Sequence, residues 1–223
     1  MPNSFFQFRR FTIYQDRCAM KVGTDGTLLG AWASVPSMVE AQQVLDIGTG
    51  TGLIALMMAQ RFPQALVTGI DIDEAAVQQA RENAAASPFA ARVAIVSGDV
   101  TVFSDREVAN GFDAIVCNPP YFTDSLQSPD AQRTLARHTA TLSYRALMES
   151  AWRLLGDGGE LSVIIPFDCK ARLEAEALLA GFFKTRECAV RTTVRKPPRR
   201  FLMAFRKHPA QLCTEELVIG STS

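Results

Sequence analysis

The feature that most constrains this chain is a short apolar run that ends in three alternating glycines. The run covers 44–47 (Val-Leu-Asp-Ile), and Gly48, Gly50 and Gly52 follow it before a stretch with a helical pattern. A continuous apolar, β-branched run is typical of a buried parallel strand. Glycines directly after such a strand allow a sharp turn and a close approach of the backbone to a ligand. The pattern therefore predicts a strand–turn–helix unit that cradles a nucleotide-like ligand.

The spacing of these glycines separates two classes of ligand. A dinucleotide fingerprint reads G-x-G-x-x-G and places a pyrophosphate over the start of the helix. Here the spacing is G-x-G-x-G, and an acid, Asp46, precedes it. This form resembles the S-adenosylmethionine (SAM) loop of Rossmann-like methyltransferases. Because SAM carries no phosphate, a negative Asp46 can face its ammonium group. An ordinary glycine-rich turn after a strand remains the alternative.

Composition sets broad limits on function. The 223 residues and 48% hydrophobic content fit one domain, and a formal net charge of zero means that nucleic acid could be bound only by a local basic patch. Five scattered cysteines without C-x-x-C spacing argue against a disulfide framework and a zinc site. The N-terminus has no signal pattern and no apolar run is long enough to span a bilayer. We expect a cytoplasmic monomer with neither a metal nor a membrane partner.

Acidic residues follow two further predicted strands. The runs at 66–70 and 93–97 are followed by Asp71 and Asp99. The carboxyl ends of parallel strands meet at one edge of a sheet, so these acids are expected beside the glycine turn. We expect Asp71 to bind a ribose diol and Asp99 to accept from the adenine amine of SAM, with a further cofactor contact at Val100. A solvated turn residue is the alternative for Asp99.

The fourth predicted strand, 112–117, runs directly into Asn-Pro-Pro-Tyr. Each proline restricts the residue before it to extended backbone, so the side-chain oxygen of Asn118 and the carbonyl of Pro119 can be presented together to one amino group. Two hydrogen bonds accepted from a conjugated amine favour the pyramidal form, whose lone pair can attack a sulfonium methyl. Tyr121 offers a ring face on which a base can stack. A simple strand terminator is the alternative reading of the motif.

Asn-Pro-Pro-Tyr at this place resembles the signature of amino-group methyltransferases, which act on adenine N6 in DNA or RNA or on glutamine N5 in release factors. The segments FTIYQDRCAMKVGTDGTLLGAWA, LDIGTGTGLIALMMAQR, CNPPYF and ARHTATLSYRAL are together most similar to the bacterial tRNA1(Val) adenine-37 N6-methyltransferase family. The resemblance covers nearly the whole chain. It implies methyl transfer from SAM to the adenosine immediately 3′ of the anticodon. It also implies that Lys21, Thr24 and Asp25 lie in a segment that closes over the methionine end of SAM.

Basic residues in three places are candidates for contact with RNA. They lie in a predicted hairpin at 5–15, in a loop at 122–138 that is too long for a simple strand–helix connection, and in the segment 184–207, which holds nine basic residues and one acid. A plain edge structure and a solvated cationic face are the alternatives for the first and the last. The candidates are Arg9, Arg10, Arg133, Arg137, His138, Arg195, Lys196, Arg199 and Arg200.

The fold expected is α/β, a Rossmann-like class I SAM-dependent methyltransferase. Its sheet has seven mostly parallel strands with an antiparallel closing strand, helices cover both faces, and the N-terminal extension is small. Residues 1–40 would form an arm and cap segment packed on the methyltransferase domain at 41–223. The helices are expected to begin near residue 24, capped by Thr24 or Asp25, and to cover 51–62, 74–86 with Asp73 as the cap, 143–155 and 169–180.

Three other functions stay open. Glutamine-N5 methyltransferases carry a helical N-terminal domain, whereas about forty residues precede Val44 here. DNA adenine methyltransferases need a separate region to read sequence, and no insertion of that size is present. A non-catalytic protein that binds SAM and RNA would show cofactor binding without turnover.

Overall fold

The computed structural model describes residues 3–18, 21–36, 42–104, 111–120 and 142–220. Within these ranges a hairpin of two strands precedes a central sheet of eight strands. The strands are β1 Phe5–Gln7, β2 Thr12–Tyr14, β3 Gln43–Ile47, β4 Leu66–Asp71, β5 Val93–Ser97, β6 Phe112–Cys117, β7 Leu155–Pro166, β8 Phe183–Arg191, β9 Arg200–Arg206 and β10 Cys213–Val218. The helices are α1 Thr24–Trp32, α2 Leu53–Arg61, α3 Glu74–Ala85, α4 Tyr144–Leu154 and α5 Lys170–Leu179, with short 3₁₀ turns at Ala90–Arg92 and Phe167–Cys169.

The order of the strands in the sheet is β10-β8-β9-β7-β6-β3-β4-β5. β3 to β7 run parallel, and β9 runs antiparallel between β7 and β8. The α/β class and all seven expected strands are thereby confirmed. An eighth strand, β10, adds in parallel to the outer side of β8 and was not predicted. Its side chains are mostly exposed, so it lacks the apolar run by which the other strands were found.

The core consists of two apolar clusters, one on each face of the sheet. Val44 belongs to one cluster and its neighbour Leu45 to the other, because successive side chains of a strand point to opposite faces. One cluster packs α4 and α5 on the sheet, and the other packs α1, α2 and the N-terminal hairpin. Burial on both faces explains why the parallel strands are continuously hydrophobic.

The N-terminal hairpin is held along α3 by reciprocal hydrogen bonds. The Tyr14 amide donates to Asn83 Oδ1 and Asn83 Nδ2 donates to the Tyr14 carbonyl, each at 2.9 Å. Ile13, the middle residue of β2, is completely buried although Tyr14 beside it is exposed. The hairpin therefore packs on the helix layer and is not part of the central sheet.

The helix ends follow the sequence signals in most places. Asp73 Oδ1 accepts from the Ala75 amide at 3.0 Å, which confirms the predicted cap of α3. α2 ends at Arg61, two residues before Pro63. The prediction that Thr24 or Asp25 caps α1 is wrong, because the cap position is occupied by Gly23 in extended conformation and no side chain bonds there. The Asp25 carboxylate accepts instead from Arg200 of β9.

All five cysteines are free thiols, and four of them are buried. No cluster of three or more His, Cys, Asp or Glu side chains suited to a metal ion is found in the part of the chain that is described. None of the helices described there has the length and hydropathy needed to cross a bilayer.

Candidate active site

The tips of four parallel strands lie side by side at one edge of the sheet. In the register of the sheet, Ile47 of β3 stands opposite Ile70 of β4 and opposite Cys117 of β6. Neighbouring strands are roughly 4.8 Å apart, so the residues that follow these tips emerge close together. Asn118 consequently leaves β6 directly beside Gly48, the first glycine of the turn. The sequence placed both motifs at this edge, and the structure brings them together.

The glycine turn wraps over the tip of β4 and opens towards solvent. The amides of Gly48 and Thr49 both donate to the Ile70 carbonyl, at 2.9 and 3.0 Å. Gly48 has φ +68° and Gly52 has φ +80°, conformations that side-chain-bearing residues rarely adopt. A Cβ placed on Gly48 would meet no atom within 4 Å. The turn thus borders an open recess that its backbone can approach closely.

Asp46 supports the turn from beneath. The carboxyl group is completely buried, and its Oδ2 accepts from Thr49 Oγ1 at 2.7 Å and from the Ala55 amide at 3.0 Å. Its Oδ1 is buried without a hydrogen-bond partner among the described residues. Burial raises the pKa of Asp46 to about 7, against the opposing effect of the two hydrogen bonds. Asp46 therefore ties the turn to the start of α2. Its predicted contact with the SAM ammonium group stays a prediction.

Asp71 shapes the other side of the turn. Its Oδ2 accepts from the Gly50 amide at 2.8 Å and its Oδ1 accepts from the Asp73 amide at 3.0 Å. Each carboxylate oxygen can accept a second hydrogen bond, so both oxygens remain able to bind a diol. Ile72, which follows it, is 53% exposed at the strand tip. Sequence reasoning missed Ile72, although an apolar residue between two acids at a strand end was a signal for a ligand contact.

In the turn after β5, the Asp99 carboxylate has a hydrogen-bond partner within the turn. Asp99 Oδ1 accepts from the Thr101 amide at 2.8 Å, which is an Asx-turn. The side chain stays half-buried at the carboxyl edge, where the adenine contact was predicted. Val100 is buried in the core and its carbonyl accepts from Arg153 Nη2 at 2.8 Å. The side chain of Val100 therefore faces away from the site, and only its amide N–H remains for a cofactor contact.

An ion pair joins two residues that were predicted to bind different ligands. Arg200 Nε lies 2.8 Å from Asp25 Oδ2, and the two side chains are 34% and 21% exposed. The pair links the start of α1 to the start of β9. Lys21 and Thr24 are exposed next to it, on the approach to α1. The cap segment and the basic segment are thus in direct contact at this edge.

The connection between β8 and β9, residues 192–199, lies at the same edge because β9 runs against its neighbours. Arg195, Lys196 and Arg199 are exposed there. The backbone of Arg199 is fixed by two hydrogen bonds: its amide donates to the Val190 carbonyl at 2.9 Å, and its carbonyl accepts from the Phe167 amide at 3.1 Å. The connection is therefore anchored to the tip of β7.

Phe167 is a second residue that sequence reasoning missed. It follows the apolar run of β7, is 52% exposed, and has its ring centroid 6.0 Å from that of Phe201. Val163 of β7 stands next to Cys117 of β6, so β7 continues to Pro166, two residues beyond the register position next to Asn118. Phe167 therefore follows at the same edge of the sheet as Asn118. The available signal was an aromatic residue at the carboxyl end of a parallel strand.

Several predicted site residues lie elsewhere or outside the described ranges. Arg9 and Arg10 are exposed in the turn of the N-terminal hairpin, and the Arg10 guanidinium lies 5.2 Å from the centre of the Phe89 ring. Phe89 precedes β5, so these arginines lie at the amino edge of the sheet, away from Asn118. Four predicted residues fall outside the described ranges: Tyr121, Arg133, Arg137 and His138.

Comparisons with solved structures and with a protein family define the class of protein to which this chain belongs. Residues 28–194 match the methyltransferase small domain family. A predicted O-methyltransferase from Agrobacterium tumefaciens superposes with a TM-score of 0.67 at 21% identity, over 90% of each chain. The glycopeptide N-methyltransferase MtfA complexed with SAM superposes with a TM-score of 0.59 at 13% identity, over 85% of this chain and 90% of that one. The fold is that of a class I SAM-dependent methyltransferase.

Relatives in sequence narrow the assignment. A tRNA1(Val) (adenine(37)-N6)-methyltransferase from Phocaeicola vulgatus is 48% identical over 98% of this chain and 91% of its own length. One of the same name from Porphyromonas gingivalis is 50% identical over 92% of this chain and 82% of its own length. The chain belongs to the tRNA1(Val) (adenine(37)-N6)-methyltransferase family.

The described residues fit the cofactor of that class. The open space in front of Gly48 is a cradle that a Cβ would fill, and the unpartnered Oδ1 of Asp46 lies just beneath it. The charged side chains that support the turn among the described residues are the acids Asp46 and Asp71, which suits a ligand with an ammonium group and no phosphate. SAM is the cofactor of this enzyme.

Proposed function

We propose that this enzyme methylates the N6 amino group of an adenosine in tRNA, the reaction and position for which its relatives are named. The adjacency of Asn118 to the glycine turn supports the proposal most, because an amine bound at Asn118 would lie beside the methyl donor. We further propose that the enzyme acts as a monomer in the cytoplasm. The four buried free thiols are consistent with a reducing compartment.

The proposed mechanism uses hydrogen-bond acceptors rather than a general base. SAM supplies an electrophilic methyl group when it is bound. The side-chain oxygen of Asn118 and the main-chain carbonyl of Pro119 accept hydrogen bonds from the two N–H groups of the adenine N6. This draws electron density onto the nitrogen and favours its pyramidal form. The excess proton leaves after the transfer, so no side chain has to remove it beforehand.

The cofactor contacts proposed for the described residues follow the strand tips. The glycine turn approaches the methionine part of SAM, Asp71 accepts from the ribose hydroxyls, and Asp99 accepts from the adenine amine. Ile72 covers one face of the adenine ring. The remaining proposed contacts come from Lys21, Thr24, Asp25, Asp46 and the amide of Val100.

The proposed RNA contacts surround the recess above Asn118. Exposed Arg195, Lys196 and Arg199 would bind phosphates, and the ring of Phe167 would stack on a base. Arg200 would support RNA binding indirectly by positioning Arg199, because Arg200 Nη1 donates to the Arg199 carbonyl at 3.0 Å. Tyr121, Arg133, Arg137 and His138 complete the proposed set from the sequence.

A product assay tests the proposed substrate. The enzyme is incubated with methyl-labelled SAM and with unmodified total tRNA, a release factor or duplex DNA, and the methylated residue is identified by mass spectrometry. N6-methyladenosine in tRNA is the expected product. Methylglutamine as the product would indicate a glutamine-N5 methyltransferase, and N6-methyladenine in DNA would indicate a DNA adenine methyltransferase. SAM binding without any product would indicate a non-catalytic protein.

Substitution of Asn118 tests the mechanism. Asn118→Ala removes one of the two acceptors, so kcat should fall by about 100- to 1,000-fold while the Kd for SAM changes little. Gln78→Ala, which removes an exposed amide from α3, is the matched control and should leave both quantities unchanged. An equal loss of SAM affinity and turnover in Asn118→Ala would contradict the assigned role.

A further inference from the structure

The turn of the N-terminal hairpin lies in a group of arginines at the amino edge of the sheet. Arg10 and Arg92 both approach the Phe89 ring, at 5.2 and 5.8 Å from its centre. Arg92 donates to the carbonyls of Ala59 and Ala65, at 2.7 and 2.8 Å, which fixes it at the starts of β4 and β5. The group therefore lies at the opposite edge of the sheet from Asn118.

The charge of this group is not neutralised by carboxylates in the described part of the chain. Arg61 donates only to main-chain carbonyls, those of Gly30 and Ala33, at 2.9 and 2.6 Å. Arg9, Arg10, Arg61 and Arg92 take part in none of the ion pairs found among the described residues. A concentration of positive charge without partners attracts a polyanion in spite of the net charge of zero.

Two exposed aromatic rings lie on the same hairpin, at the end of its strands opposite to the turn that carries the two arginines. Phe5 and Tyr14 are 42% and 47% exposed, whereas Phe6 stands opposite the completely buried Ile13 and therefore lies on the other face. Phe5 and Tyr14 stand opposite each other in register, with their ring centroids 6.1 Å apart. Exposed rings and basic residues on one element are typical of surfaces that stack the bases and bind the phosphates of single-stranded nucleic acid.

The geometry of the sheet gives the distance between this surface and the reaction. β5 is three strand positions from β6, or roughly 14 Å, and the amino and carboxyl ends of β5 are roughly 16 Å apart. The hairpin turn is therefore about 20 Å from Asn118. In a stacked helix each nucleotide advances about 3.4 Å along the axis, so a stacked strand that spans this distance holds about six nucleotides, and a more extended strand holds fewer.

We propose that the hairpin surface, formed by Phe5, Arg9, Arg10 and Tyr14, binds a segment of the tRNA that lies several nucleotides from the methylated adenosine. This inference rests on the proposed function. It adds a second anchoring point for the same RNA, on the far side of the helix layer from the reaction. The target nucleotide can then be recognised as part of a long structured RNA rather than as a short sequence.

Salt dependence of tRNA binding tests the electrostatic part. Neutralising both hairpin arginines, in Arg9→Gln with Arg10→Gln, should weaken tRNA binding by roughly tenfold at low salt and lower the slope of log K against log salt by about 1 to 2. Arg81→Gln is the control, because this exposed arginine of α3 lies beside Glu74 and should leave the slope unchanged. An unchanged slope in the double variant would overturn the proposal.

Crosslinking tests the position of the RNA. Tyr14→p-benzoylphenylalanine places a photoreactive ring on the hairpin surface, and sequencing of the crosslinked tRNA identifies its nearest nucleotide. A crosslink to a nucleotide other than the methylated adenosine and its immediate neighbours is expected. A crosslink to the methylated adenosine or to an immediate neighbour, or none, would contradict the inference. The parent enzyme is assayed on the same tRNA: methylation with a failed crosslink rejects the hairpin surface alone, whereas no methylation rejects the proposed substrate.

Discussion

Asp46 is an acid held where water cannot reach it. Because burial raises its pKa to about 7, the folded protein binds a proton at Asp46 that the unfolded chain releases near pH 4. The contribution of this group to stability is therefore full below pH 4 and is lost as the pH rises towards 7. Asp46→Asn should make the free energy of unfolding less dependent on pH in this interval, measured by urea unfolding between pH 4.5 and 7.5. An unaltered pH profile would mean that Asp46 is ionised throughout.

Gly48 combines a positive φ with an open recess in front of its α-carbon. Gly48→Ala should cost roughly 1–2 kcal/mol of stability through backbone strain. It should also raise the Kd for SAM, because the new Cβ enters the space assigned to the cofactor. Isothermal titration measures the binding. Gly158→Ala is the control, since a Cβ at Gly158 also meets no atom and the backbone there needs no positive φ.

Sequence reasoning located the residues whose spacing along the chain fixes their place in the fold. Asn118 and Asp71 could be placed because each directly follows a strand whose neighbours were also recognisable. Ile72 and Phe167 were missed because their place at a strand end is only a weak signal, and their exposure is known only from the fold. The partner of Asp25 could not be foreseen, because Arg200 is distant along the chain and local rules assign such an acid to a helix cap.

Among the elements, α1 and β9 are connected through the Asp25–Arg200 ion pair. Because both side chains are partly exposed, the coupling should be about 1 kcal/mol or less. A double-mutant cycle with Asp25→Asn and Arg200→Gln measures it by urea unfolding. We expect each single change to weaken tRNA binding as well, since Arg200 positions Arg199. Additive effects in the cycle would show that the pair contributes nothing.

Elements with strong local patterns were predicted and one without such a pattern was not. β3 to β9 and the five helices carry apolar periodicity or cap residues, which a single sequence displays. β10 is stabilised by distant partners instead: it pairs with β8, and Trp32 Nε1 donates to Glu215 Oε2 at 2.8 Å. Such pairing depends on the assembled sheet. The division of the chain at residue 40 stays a prediction.

At the scale of the molecule, a buried carboxylate of β7 joins the neighbouring strands β8 and β9. Glu160 is completely buried, and its Oε2 accepts from Arg206 Nε and Nη2 at 3.0 and 2.9 Å while its Oε1 accepts from Arg186 Nη1 at 3.2 Å. Glu160→Ala leaves two guanidinium groups without their partner, so it should cost roughly 3–5 kcal/mol. Urea unfolding measures this loss.

The controls for Glu160 separate stability from activity. Glu149→Ala removes an exposed carboxylate paired with Arg145 and should change stability by less than about 0.5 kcal/mol. Below its own unfolding transition, Glu160→Ala should bind SAM as the parent does, because Glu160 lies at the edge opposite to the glycine turn. A selective loss of SAM binding in a fully folded Glu160→Ala variant would contradict the expectation that Glu160 acts on stability alone.

The reversal of β9 has a consequence for how such enzymes can diversify. Because β9 runs against β7 and β8, the connection 192–199 lies at the edge proposed for methyl transfer, apart from the strand tips proposed to hold the cofactor. Under the proposed function, insertions or charge changes in that connection alter the choice of RNA while the reacting groups stay in place. Related enzymes can therefore change their RNA target while they keep the same methyl-transfer reaction.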